Sequence, residues 1–420
     1  MNVATSIAPD AAAAFDGIWP DDGSSRIPAR VYTDPAVYRR ELDRFFYGRH
    51  WSYVGLEAEV PEPGRFKRTA IGERSVIMIR NRQGEINVLE NRCAHRAMRF
   101  CQEKFGKVKT LVCPYHQWNY NHDGKLLGVP FQRGVKGKGG MPEDFALTDR
   151  SLRRLKVTVR NGVVFASFDD DVEPFEDYLG PDVLRYFDRT FDGRELVVQG
   201  YSRQRIPGNW KLMMENIKDP YHPGLLHTWF VTYGLWRADN QSQLVMDRHH
   251  RHACMISKRS ETVDAEVTKG VTSFRKNMQL NDESLLDIVA EPWWGGPTVC
   301  MTTIFPSVIL QQQINSLSTR QIIPVGPDAF DFVWTHFAFD DDDEGMRARR
   351  MHQANLFGPG GLVSADDGEV IEFSQDGFEQ DQGFATLCEL GGTDVGNSDH
   401  MVTEGLIRGM YRYWREVMEI

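Results

Sequence analysis

Two short stretches bind distant parts of this chain to one point. Cys93-Ala-His95 and Cys113-Pro-Tyr-His116 each follow a β-rich run, and 17 residues separate His95 from Cys113. Two thiols and two imidazoles on two loops describe a metal site, because six cysteines in 420 residues are too sparse for a disulfide framework and read as reduced thiols. A structural zinc ion can use two Cys and two His. Zinc sequences usually group like ligands, however, whereas each loop here offers one of each. That alternation suits a [2Fe-2S] cluster with two thiolates on one iron and two imidazoles on the other.

The surrounding pattern agrees with a small antiparallel domain. From Trp51 to about Asp170 the runs TAIGERSVIMIRN, INVLENRC, TLVCPYHQWNYN and LKVTVRNGVVFASFD alternate with Gly, Asn and Asp turn signals. The Gly-Lys stretch from Gly134 to Gly140 does not join a strand to a helix, so a loop is expected there rather than a phosphate cradle. Upstream, residues to about Arg26 read as a loosely held arm, and Asp34-Pro35 opens an amphipathic helix. Downstream come strand and helix patterns, ELVVQGYSRQRI, NWKLMMENIK, TVCMTTIFPSVILQQQIN and AFDFVWTHFAFD, with an acidic run at 340–344 that reads as a solvated helix start. The expected divisions are 1–50, an arm and helix packing on the last domain, then 51–170 and 171–420. The expected class is α+β.

The acidic balance, a net charge of −10, argues against a nucleic-acid surface. No apolar stretch reaches the eighteen or so residues of a membrane span, and residues 1–22 lack a basic start with an apolar core. The expectation is a cytoplasmic protein bound to neither nucleic acid nor membrane.

A second constellation lies in Asn209-Trp-Lys-Leu-Met-Met-Glu-Asn-Ile-Lys-Asp219-Pro-Tyr-His222-Pro-Gly-Leu-Leu-His227. Five residues on a regular helix turn through about 500°, so His222 and His227 would diverge. Pro220, Pro223 and Gly224 predict a break that lets both imidazoles converge. Downstream, Gly358-Pro-Gly-Gly-Leu-Val-Ser-Ala-Asp366-Asp367 supplies a carboxylate. Two His and one carboxylate form the facial triad of non-haem Fe(II) oxygenases.

Together these motifs resemble the Rieske ring-hydroxylating oxygenases, the large subunit specifically, along nearly the whole chain from about Arg26. The resemblance implies a small all-β Rieske domain holding a [2Fe-2S] cluster through Cys93, His95, Cys113 and His116. It also implies a helix-grip catalytic domain, with a large antiparallel sheet, whose mononuclear Fe(II) is held by His222, His227 and the second acidic position, Asp367. Asp366 is then its neighbour. Asp219 matches the family's bridging aspartate, which implies an electron path His116, Asp219, His222 between chains and hence a cyclic oligomer, α3β3 with a small β subunit. NADH electrons would arrive through a reductase and a ferredoxin. Relatives commonly have Gly where this chain has Ala97, and a positive φ there would cost Ala about 1 kcal/mol.

The stretches IPGNWKLMMENIKDPYHPGLLHTWF, FPSVILQQQINSLSTR and NLFGPGGLVSADDGEVIE resemble the branch acting on aromatic carboxylates. Conversion of salicylate to gentisate is the expected reaction, with dihydroxylation of anthranilate or a related benzoate as the alternative and a Rieske electron carrier as the different-class alternative. Arg320 and Arg408 match positions that serve carboxylates in terephthalate-type relatives, structural ion pairs being the other reading. Gln312 offers a hydrogen bond to a phenol or carboxylate, and Leu226, Trp229 and Val308 offer apolar lining.

Overall fold

A computed structural model describes residues 17–19, 23–259 and 265–420, so most of the expected arm lies outside the described residues. The chain forms two compact units. One comprises Phe45–Phe175 with Gly193–Val198, the other Met1–Arg44, Glu176–Asp192 and Gln199–Ile420. Both limits differ from the sequence expectation. The short return at 193–198 belongs with the first unit because the Leu196 side chain reaches the Asn161-Gly162 turn, where a Cβ on Gly162 would lie 3.3 Å from it.

The first unit is all β apart from short turns. Strands β1 (Ser52–Leu56), β2 (Arg65–Ile71), β3 (Arg74–Arg80), β4 (Ile86–Glu90), β5 (Phe105–Lys107), β6 (Leu111–Val112), β7 (Asn119–Tyr120), β8 (Leu126–Gly128), β9 (Lys156–Arg160) and β10 (Val163–Ser167) form three antiparallel sheets, ordered β4-β3-β2-β5, β9-β10-β1 and β6-β7-β8. The β9–β10 hairpin turns on Asn161-Gly162, both at positive φ, as a two-residue turn matching strand twist requires. Phe66, Ile77, Leu89, Leu111, Trp118 and Tyr120 share one core with Cys93 and Cys113, so the thiols stand on packed ground. Gly134 to Gly140 is a loop, as expected, closed by a Val135–Lys138 bridge.

In the second unit, helix α1 (Pro35–Glu41) begins where Asp34 predicts it, with Asp34 Oδ1 accepting from Ala36 N at 2.8 Å. Its last residue, Glu41, is fully buried and accepts hydrogen bonds from Trp210 Nε1 (2.9 Å) and Trp414 Nε1 (2.7 Å), with Lys211 Nζ at 2.8 Å. Seven antiparallel strands follow: β11 (Leu196–Pro207), β12 (Gln241–Met246), β13 (Ala253–Lys258), β14 (Val299–Ile304), β15 (Val308–Gln313), β16 (Ser316–Gly326) and β17 (Ala329–Phe339), in the order β11-β17-β16-β15-β14-β13-β12. Five more helices matter for the site: α2 (Trp210–Lys218), α3 (Pro223–Leu226), α4 (Thr228–Thr232), α5 (Glu344–Phe357) and α6 (Ser364–Gln380). The C-terminal α7 (Gly405–Met418) carries Trp414. The acidic run before α5 is not all solvated. Asp343 caps the helix, but Asp342 pairs at 2.7 Å with Arg350, which Glu291 also holds and which is only 1% exposed.

Strand register decides which side chains meet the site. Met255 pairs with Met301, Met301 with Gln311, Gln311 with Ser318 and Ser318 with His336, while Arg320 pairs with Trp334. With a two-residue repeat these residues, together with Gln313, share one face of the sheet.

Candidate active site

The two cysteine loops have the same shape. Cys93 N donates to Met98 O and Ala97 N to Cys93 O; Cys113 N donates to Trp118 O and Gln117 N to Cys113 O. The fourth residue after each Cys is left-handed, Ala97 at φ 54 and Gln117 at φ 55. Neither is glycine, so each loop carries a backbone cost of the kind expected for Ala97. Tyr120 OH lies 3.3 Å from Cys93 Sγ and accepts from Ala94 N. The His95 and His116 rings approach to 4.5 Å between centroids, and His95 stacks on Trp118.

Among the described residues one set of three Cys, His or carboxylate donors closes to within 4.8 Å, and it is not this one. A single zinc would hold its donors within about 4 Å of one another. The four side chains fit a two-iron cluster with a thiolate end and an imidazole end better than they fit zinc.

The set that does close is His222, His227 and Asp367. Asp367 Oδ1 lies 3.5 Å from His222 Nε2 and 3.2 Å from His227 Nε2. The break that permits this falls where the prolines predict it. α2 ends at Asp219 in extended geometry, His222 precedes α3, and His227 is extended between α3 and α4. Asp367 comes from the first turn of α6, and Asn216 Nδ2 donates to its Oδ1 at 3.1 Å. Each imidazole also meets a second carboxylate. His227 Nδ1 is 3.1 Å from Asp366 Oδ2, and His222 Nδ1 is 3.4 Å from Asp219 Oδ2. Burial opposes charge on His222, yet Asp219 and Asp367 push its pKa up to about 9. Burial likewise raises Asp367, but His222 and His227 outweigh it and hold the carboxyl well below the usual range. Three converging donors, one anionic and two neutral-capable, fit a divalent iron with open positions.

These donors open on a cavity lined by Asn216, Phe230, Met255, Met301, Gln313 and Arg320. Arg320 is buried and stacks 4.1 Å over Trp334, and its Nε donates to Gln311 Oε1 at 2.5 Å. Burial lowers its pKa to about 9, with Asp367 opposing. Gln312 does not reach the cavity. One residue out of register, it faces away and is fully used, accepting from Arg189 and donating to the Thr298 and Ile314 carbonyls. Arg408 is also elsewhere, its guanidinium given to the carbonyls of Asp394, Cys388 and Leu390. Leu226, Trp229 and Val308 are not among the lining residues. Counting in twos from Arg320 reaches Ser316, and Ser316 pairs with Gln313 across the two-residue turn, which puts Gln313 on the face of Arg320; nothing local in the sequence marks Asn216, Phe230 or Met255.

The catalytic-domain model of the ring-hydroxylating alpha subunits matches residues 191–420, and the Rieske [2Fe-2S] domain model matches 50–138. The chain belongs to this family. It is the terminal component of a Rieske non-haem iron oxygenase, with a [2Fe-2S] cluster and a mononuclear iron, and its electrons come through a reductase and a ferredoxin. It is 65% identical over 408 residues to the large oxygenase component of salicylate 5-hydroxylase from Ralstonia sp, with 96% of each chain covered. It is 39% identical to the large subunit of anthranilate 1,2-dioxygenase from Burkholderia cepacia, again over 96% of each. Naphthalene 1,2-dioxygenase from Rhodococcus sp. bound to indole shares the fold, with TM-score 0.77 and 23% identity over 94% of both chains. A β subunit often accompanies such components. No helix among the described residues is long and apolar enough to cross a membrane.

Proposed function

We propose that this oxygenase hydroxylates an aromatic carboxylate, converting salicylate to gentisate. One observation carries the substrate class: Arg320, a buried cation on the wall of the cavity that His222, His227 and Asp367 share. A buried charge is costly unless an anion answers it, and Asp367 is committed to the two imidazoles. A substrate carboxylate supplies that anion, with Met255, Met301 and Phe230 against the ring. The particular acid follows from the 65% identical relative, whose name specifies salicylate.

The ligand roles are part of the same reading. Cys93, His95, Cys113 and His116 hold the cluster; His222, His227 and Asp367 hold the iron. When bound, the iron would supply O2 activation and the cluster the electrons for it. Asp219 fixes His222, since its Oδ1 also accepts from Tyr221 N (2.7 Å) and His222 N (3.2 Å). Asp366 does the same for His227, setting the tautomer that turns Nε2 to the metal. The relay passes from His116 of one copy through Asp219 to His222 of the next, within an α3β3 assembly with a small β subunit.

The test is product analysis with the large subunit, its small subunit, ferredoxin, reductase, NADH and O2. Gentisate from salicylate is expected, and Arg320→Leu should raise KM for salicylate roughly ten- to a hundredfold. Coupled turnover of anthranilate with salicylate untouched would transfer the assignment to the other relative's reaction.

A further inference from the structure

The cavity wall contains a hydrogen-bond chain of which the substrate assignment uses only Arg320. Gln311 and Gln313 on β15 share a face with Ser318 and Arg320 on β16. Gln311 Oε1 accepts from Arg320 Nε (2.5 Å) and Ser318 Oγ (3.1 Å). Gln311 Nε2 donates to Gln313 Oε1. Gln313 Nε2, buried at the cavity, has no hydrogen-bond partner among the described residues.

An amide has two ends of nearly equal shape, so either glutamine could be turned over. The chain removes that freedom. A guanidinium has donors and no acceptor, so whatever faces Arg320 Nε must be an oxygen. The Gln311 amino group is then left for its neighbour, which has to answer with a carbonyl. Gln313 is thereby obliged to turn its own N–H groups to the cavity, beside Arg320.

We propose that Gln311 is a positioning residue that makes this wall donor-only, and so selects a carboxylate over an amide of the same shape. Gln311 is not among the cavity-lining residues, so it acts through Gln313 and Arg320. The proposal rests on the reading of the cavity as a carboxylate site. A carboxylate offers acceptors only and satisfies both donors; a carboxamide must set an N–H against one of them, and an unmatched buried donor is expensive.

The experiment measures dissociation constants of salicylate and salicylamide for the iron-loaded large and small subunits by equilibrium dialysis. Wild type should favour salicylate, and Gln311→Leu should reduce the salicylate-to-salicylamide affinity ratio roughly tenfold, because Gln313 becomes free to turn. Gln313→Leu should lower the ratio similarly, and the double variant no further, since both changes remove one effect. Gln311→Met preserves side-chain length should the leucine variant fail to fold. Equal weakening of both ligands, or additive losses in the double variant, would overturn the positioning role. A wild type that does not discriminate would instead overturn the carboxylate reading itself.

Discussion

The two units assemble the donor sets proposed for their metals by opposite routes. In the cluster unit one local form is used twice: a Cys at a strand end, a left-handed residue four positions on, and an imidazole between them. In the catalytic unit no local form repeats. A helix is broken to bring His222 and His227 together, and the third donor arrives from α6 at Asp367. The first site is fixed by short-range backbone geometry, the second by tertiary packing, and the two should respond differently to damage.

The largest effects separate the sites outright. Asp367→Ala should lose mononuclear iron and fall below about a thousandth of wild-type turnover, while the visible absorbance and reduced-state resonance of the cluster stay. His116→Ala should show the reverse, with cluster signals gone and mononuclear iron retained. If either substitution strips both metals, the independence of the two sites is lost. A step smaller, Glu41→Ala takes the carboxylate from buried Lys211, leaving its Nζ only Asn209 Oδ1, and strands the Nε1 donors of Trp210 and Trp414. It should cost about 3–5 kcal/mol in denaturant unfolding of the catalytic unit, with the cluster unit's transition unmoved.

Asp219→Asn tests the proposed relay between copies of the chain. Both metals should remain, while turnover drops about ten- to a hundredfold, or more if electron transfer is interrupted; full rates at full loading would remove the relay. The smallest change is Ala97→Gly, which relieves a left-handed alanine and should stabilise the cluster unit by up to about 1 kcal/mol in thermal unfolding. Gln117→Gly should behave alike, because the loops match. A gain at one position only would show that the loops are not energetically equivalent.

The same contrast explains what could be read from the chain. The spacing of Cys93, His95, Cys113 and His116 and the prolines around His222 are local, so they were visible in the letters. A run of three glutamines hides the strand phase, which only pairing with β16 fixes, so the sequence points to Gln312 where the structure puts Gln313. Arg408 looked available because its partners are backbone carbonyls of a distant loop, which carry no sequence signature. Net charge is also blind to distribution. The cluster unit holds 23 basic and 16 acidic side chains and the catalytic unit 26 and 43, so the total of −10 conceals a basic unit within an acidic chain.

Glu41 also bears on how the protein is made. Its partners are Trp210, Lys211 and Trp414, so the catalytic unit cannot close its core until Trp414 has left the ribosome. The cluster unit, nearly continuous from Phe45 to Phe175 and finished by Val198, is complete far earlier. Domains tend to fold as units in the order of synthesis. The nascent chain thus passes through a stage in which the cysteine loops are built and ready for iron and sulfide while the oxygen-handling site does not yet exist. A ribosome-stalled chain ending before α7 should accept the cluster and remain sensitive to protease beyond Val198.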